Sequence, residues 1–239
     1  LSPIVPADRQ MRESAVPAVS RFSWPDPWRL VRPLVAVLIA IVLVGILRNY
    51  PRYFPADFTA EFLRGRQSHF FNGYQWAFYA HVIAGPICLA LSVLLTSDRL
   101  RRRFPQWHRR LGRLVGVVVL SVLLPSGLWM AFYAISGWVA GVGFAVLSLA
   151  TAMTIACGWR SAVARRFMAH QVWMERTVIL LCSAIVLRLI TALATLAGLD
   201  SPWLYPASVW ASWIVPLGIH TAICHAGTPR QERESVLTR

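Results

Sequence analysis

Hydrophobic residues run through this chain in long blocks, and polar residues gather between them. Six blocks stand out, at residues 34–47, 74–96, 114–135, 138–158, 171–198 and 207–226. A helix needs about 20 apolar residues, at ~1.5 Å each, to cross the hydrocarbon core of a bilayer. Most of the blocks reach that length; the first is shorter, and its flanking Arg32 and Arg48 are placed to snorkel to the interfaces. The pattern predicts an all-α fold, a polytopic transmembrane helical bundle of six spans.

Particular residues shape the expected helices. Pro125 is expected to kink the third span and Pro216 to break or bend the sixth. The fourth span is thick with small residues (Gly141, Gly143, Ala145, Ser148, Ala152, Ala156), which let helix backbones approach closely in a membrane. Between the first two spans lies an aromatic segment, residues 49–73, in which 56–66 reads as a short interfacial helix. The organisation is then a polar, proline-rich arm (1–32) without a signal-peptide pattern, a membrane domain (33–226) and a polar tail (227–239).

Composition agrees with this picture and charge orients it. Apolar residues make up 56% of the chain and charged ones 14%, and mean hydropathy is +0.53. All 24 basic residues are arginine, and the formal net charge is +14. In a soluble domain that balance would suggest nucleic acid. Here the arginines flank apolar spans, so the partner they imply is the lipid bilayer and no nucleic acid is expected. Nineteen fall on the side of the termini and of segments 98–113 and 159–176, and four on the side of segment 49–73. The positive-inside rule then places both termini and both basic segments, read as loops, in the cytoplasm.

The candidate chemistry sits at the span ends. His108 opens the third span and His170 the fifth, both next to basic segments, so the two imidazoles can face one another across the bundle. Histidines on facing helices are how bundles hold a metal or haem. His108 and His170 are therefore the candidate metal ligands, with Arg110, Arg113 and Arg176 placed to meet propionates. The competing reading has both histidines contacting headgroups or capping helix ends. His81, in the second span, and Arg188, in the fifth, share a similar depth nearer the opposite face. An intramembrane arginine is costly unless paired, so this pair is a candidate for a quinone carbonyl or an anion. The alternative is that Arg188 snorkels or bonds helix carbonyls. Glu175 is expected to pair with an arginine of segment 98–113, and His220 and His225 are packing residues or a third imidazole. His69 carries no signal alone. The four cysteines, dispersed in apolar blocks, read as small hydrophobes. No phosphate loop, nucleophile elbow or HExxH pattern is present, which argues against hydrolase or kinase chemistry.

Several of these residues fall into a pattern: His81 with Gly85-Pro86, residues 101–104, then His108-Arg109-Arg110-Leu111-Gly112-Arg113. Gly143-Phe144, His170-x-x-Trp173-Met174-x-Arg176 and Leu187-Arg188-Leu189 follow in order. Over roughly residues 74–215 the chain resembles an uncharacterised bacterial membrane family, domain of unknown function 2306. That resemblance implies a multi-pass protein of the bacterial cytoplasmic membrane and no settled activity. A weaker likeness is to the b-type membrane cytochromes of the ascorbate-reducing diheme class. It implies haem between histidines near helix ends, and here one haem only, on the His108/His170 side. Three functions are open: a redox protein binding one b-type haem or a quinone, an accessory or assembly subunit of a respiratory or photosynthetic complex, and a small anion transporter. The second would bind other subunits through residues 1–32 and 49–73.

Overall fold

A computed structural model describes residues 28–60, 62–134 and 136–226, with side chains from residue 37 onward. The arm up to residue 27 and the tail 227–239 lie outside the described residues. The chain divides into two units, residues 1–38 and 39–239, and the packing below is that of the second. All regular structure among the described residues is helical. Five helical stretches are long and apolar enough to cross a membrane: Gln67–Leu95, Pro105–Phe132, Trp138–Val163, Phe167–Leu196 and Leu204–His225. They match the second to sixth apolar blocks. Helix α1 (Trp28–Arg48) covers the first.

After α1 the chain reaches α2 (Gln75–Leu95), then α3 (Asp98–Arg103) and α4 (Pro105–Val118). The basic segment read as a loop is thus helical. The Ser97 hydroxyl accepts from the Leu100 N–H at 3.5 Å to start α3, and Phe104 (φ −132°, ψ 62°) ends it. Pro105, pre-set for a first helical turn, starts α4. Helix is compatible with so many arginines because Arg99, Arg101, Arg102, Arg103, Arg109, Arg110 and Arg113 are all exposed.

Ahead of Pro125, where a kink is expected, the helix takes a π-turn (Val119–Leu123) between α4 and α5 (Leu124–Phe132). Proline cannot donate to the preceding turn. The Ser121 and Ser126 hydroxyls donate to the Val117 and Val122 carbonyls, at 2.8 and 2.6 Å. α6 (Trp138–Val163) follows, then α7 (Phe167–Leu181) and α8 (Ser183–Leu196), which meet at Cys182 within one span. The break expected at Pro216 does not occur: α9 (Leu204–Ala226) runs through it. Packing on one side of the proline holds the helix, since Val209 and Trp213 are buried and the Trp210 indole donates to the Val139 carbonyl at 3.2 Å.

α6 packs against α5, α7 and α9, and its small residues set the approach. A methyl group at Gly141 would lie 2.8 Å from the Ala131 carbonyl oxygen, and one at Gly143 2.9 Å from Val209 Cγ1. The close approach expected of the fourth span is therefore made by identifiable glycines. Trp76, Trp107, Trp138 and Trp203, near helix ends, are exposed, as interfacial anchors would be.

Residues 56–60 and 62–66 form turns and irregular backbone, not the expected interfacial helix. Asp57 Oδ1 accepts from the Thr59 N–H (2.8 Å) and hydroxyl (2.6 Å), a local bond that competes with helix. Those bonds also hold the Asp57 carboxyl below its usual range. Leu63, Phe70, Tyr74 and Phe78 are fully buried under this segment, with Tyr53, Phe58, Phe62, Met130 and Tyr133 around them. Burial of aromatics, not helical periodicity, decides the local structure.

Candidate functional site

The first turns of α4 and α7 bring His108 and His170 together at the end of the bundle that carries the basic segments. The two imidazoles are close enough to interact electrostatically, and Arg101 of α3 is near His108 as well. His170 Nδ1 is 2.9 Å from the Gly158 carbonyl oxygen. A carbonyl only accepts, so Nδ1 carries a proton, and in the neutral ring Nε2 is the nitrogen with the lone pair. Such an outer hydrogen bond commonly fixes the tautomer of a metal-bound histidine. His108 Nδ1 is buried and has no hydrogen-bond partner among the described residues, and the same is true of Arg176 Nε. Arg176 lies over the Trp173 ring, 4.8 Å from its centroid.

The residue set therefore fits a group held between two imidazoles, with one lone pair made available by a backbone carbonyl. Among the described residues no group of three or more His, Cys, Asp or Glu side chains gathers to hold a metal ion.

The other residues singled out in the sequence go elsewhere. Arg110 and Arg113 are exposed. Two and five positions after His108, they fall on other sides of α4 at 100° per residue. Arg110 sits 6.0 Å from the Trp107 ring. Arg188 is exposed and donates to the Ala184 carbonyl of its own helix at 2.9 Å. It shares no described contact with His81. His81 instead reaches across to the π-turn region, with Nδ1 3.1 Å from Ser126 Oγ. Its Cε1 is 3.5 Å from where a methyl on Gly127 would lie, a point also 2.8 Å from Ser148 Oγ. His81, Ser126, Gly127 and Ser148 thus form a second, separate polar node joining α2, α5 and α6. Ser148 and Gly158 are ten positions apart on α6, which separates the two nodes by ~15 Å along the helix.

Glu175 does not reach the arginines of segment 98–113. Its partners are Gln171 (3.0 Å) and His220 Nε2 (3.1 Å), so it ties α7 to α9. This removes His220 from the His108/His170 pair, because Glu175 and His170 lie on different faces of α7. His225 is exposed and bonds the Thr221 carbonyl at 2.7 Å. Sequence reasoning missed the buried Thr177–Thr154 hydrogen bond (3.0 Å) between α7 and α6, next to the His170–Gly158 contact. A threonine in an apolar block carries no signal of its own; a threonine beside a glycine that admits a neighbour would have been a hint.

The family described as "Predicted membrane protein (DUF2306)" matches residues 78–223, well over half of the chain. The chain belongs to this family. The matched DUF2306 region contains His81, His108, His170, Arg176 and the α6 seams, and leaves out the aromatic segment 49–73 entirely. Comparison with curated proteins and with solved structures finds no match.

Proposed function

We propose that this integral membrane protein is a redox protein that holds one b-type haem or a quinone between His108 and His170. One observation supports it above the others. A buried, unpartnered imidazole nitrogen on α4 lies beside an imidazole on α7 whose tautomer a backbone carbonyl sets. His170 Nε2 offers a lone pair suited to haem iron, and the unpartnered His108 Nδ1 suits iron when it carries a lone pair and a quinone carbonyl when it carries a proton. Arg176, with its unpartnered Nε, is the arginine placed to meet a propionate or the second carbonyl. Either group would supply reversible electron transfer.

A reduced-minus-oxidised optical spectrum of the purified protein, with solvent extraction of quinone in parallel, tests this reading. Haem gives a Soret band that shifts on dithionite reduction; quinone gives an extractable chromophore near one per chain. His108→Ala and His170→Ala are each expected to abolish whichever signal is present. Protein that is colourless from haem-replete cells and carries no extractable quinone would sink the proposal.

We also infer six spans in a bacterial cytoplasmic membrane, with both termini and both basic segments inside. Nineteen of the arginines support this orientation against four. Alkaline phosphatase folds only outside the cytoplasm, so fusions after residues 136 and 200 are expected to be active and fusions after 104 and 165 inactive. The reverse pattern would overturn the orientation. A second reading, an accessory subunit of a larger complex, is favoured by one feature: an open groove along α9 lined by Trp213, Leu217, Gly218 and Ala222.

A further inference from the structure

The opposite end of the bundle, apart from the His108/His170 pair, carries three buried polar groups without a hydrogen-bond partner among the described residues. They are Arg66 Nε, His69 Nε2 and the Tyr74 hydroxyl. Tyr74 is only 1% exposed. The three side chains are neighbours. His69 meets the Tyr74 ring edge-on at 5.2 Å, and Arg66 Cζ lies 5.9 Å from the same ring. The Tyr74 hydroxyl is close to the Arg66 guanidinium without reaching hydrogen-bond geometry.

Aromatic packing holds each group in place. His69 stacks on Tyr133 at 4.6 Å and 14°. Arg66 lies 4.4 Å over the Phe62 ring and donates from Nη1 to the Phe62 carbonyl. That fixes the guanidinium while leaving Nε unused. His69 Nδ1 is 3.4 Å from Ser68 Oγ, which leaves Nε2 free.

Arginine Nε–H can only donate, the phenol can donate or accept, and His69 Nε2 donates in the tautomer whose Nδ1 accepts from Ser68 Oγ; with all three donating, the partner the cluster lacks is an acceptor. A buried polar group without a partner is destabilising, so three together call for a shared one. One water oxygen accepts two hydrogen bonds and does not balance the guanidinium charge. Among the described residues no carboxylate lies within ion-pair distance of Arg66. A negatively charged group with two or more oxygens meets all three donors at once.

We propose that Arg66, His69 and Tyr74 form an oxyanion site in the aromatic layer, specific to a carboxylate or phosphate group. The site lies where Gln67 begins one candidate span and Phe132 ends another. A lipid phosphate and a free ion can both reach that depth.

Thermal unfolding of lipid-depleted, detergent-purified protein tests the site, with sodium phosphate, sodium acetate and phosphatidylglycerol each titrated against sodium chloride of equal ionic strength. Saturating oxyanion, at about a hundredfold above its Kd, is expected to raise Tm by roughly 5–10 °C. Tyr74→Phe and Arg66→Gln are expected to lose that rise. A rise with phosphatidylglycerol but not with phosphate assigns the group to a lipid headgroup; a rise with phosphate or acetate assigns it to a free ion. Absence of any oxyanion-dependent rise in the wild-type protein would overturn the proposal. So would a higher Tm for Tyr74→Phe than for wild type with no oxyanion effect, which would mark the hydroxyl as simply unsatisfied. Glu61 precedes Arg66 by five positions and lies outside the described residues. If Glu61→Gln lowers Tm as much as Arg66→Gln while oxyanions do nothing, the acceptor belongs to the chain and the site is not a ligand site.

Discussion

Gly141→Leu is expected to abolish folded protein, and Gly141→Ala to lower its thermal stability. The first added carbon would sit 2.8 Å from the Ala131 carbonyl oxygen and 3.5 Å from Ala134 Cβ. The nearer atom is backbone, in the last turn of α5, and cannot rotate away as a side chain can. Overpacking of this kind costs about 1–3 kcal/mol. Alanine's better helix propensity returns ~1 kcal/mol, so the net loss for alanine is about 0–2 kcal/mol, toward the upper end because the obstructing atom is backbone. Leucine adds three further carbons to the same gap and forces α5 and α6 apart. Gly218, on α9, has nothing within 4 Å of its added carbon. Gly218→Ala should therefore be neutral or stabilising in the same assay. Unfolding in detergent, followed by circular dichroism, compares the two; equal Tm values would refute the argument. Gly158 provides a graded case. Its added carbon would collide with the terminal methyl of Met174, a flexible group that can swing aside, although Trp173 Cβ at 3.3 Å limits the room. Gly158→Ala is thus expected to be milder than Gly141→Ala.

His81→Ala is expected to destabilise the bundle by about 2–4 kcal/mol, from a lost hydrogen bond of ~1 kcal/mol and a cavity where the imidazole was. The bond joins α2 to Ser126, whose hydroxyl also donates to the Val122 carbonyl at the end of the π-turn. His81→Phe keeps most of the volume and should recover the packing part only. A double-mutant cycle with Ser126→Ala isolates the pair, with an expected coupling of about 1 kcal/mol. Additive effects would show that the contact contributes nothing. Because ~15 Å of α6 separates Ser148 from Gly158, His81→Ala is also expected to leave any haem or quinone signal at His108 and His170 intact. Loss of that signal in folded His81→Ala protein would merge the two nodes into one site.

The spans were legible because membrane insertion reads apolar length, and length is a local property. The basic segment 98–113 gave its charge correctly but not its structure. Arginine is a good helix former, and nothing in a run of arginines marks where Ser97 or Pro105 begins a helix. Residues 56–60 and 62–66 went the other way: an amphipathic look, but a buried aromatic cluster and the Asp57–Thr59 bonds favoured turns. At the candidate site, the placing of His108 and His170 at the same end of the bundle, within electrostatic reach, followed from their equivalent positions at span ends. The exposure of Arg110 and Arg113 followed from their angular offset on α4, which sequence spacing alone would have revealed. The partners of His81 and Glu175 had no such signature. Each lies 45 positions away, on a different helix.

By itself the sequence determined that this is an all-helical membrane protein, where its apolar helices lie, and which of its ends is rich in arginine. Hydropathy and charge act on each segment independently, so no knowledge of neighbours is needed. Only the tertiary structure decided which polar groups meet. It paired His81 with Ser126 and Glu175 with His220, turned Arg188 outward, and collected three unpartnered polar groups under the aromatic layer. Those outcomes depend on the rotation of each helix about its axis and on how closely glycines such as Gly141 and Gly143 let the helices cross. Both are properties of packed pairs, and no single segment of the chain contains them.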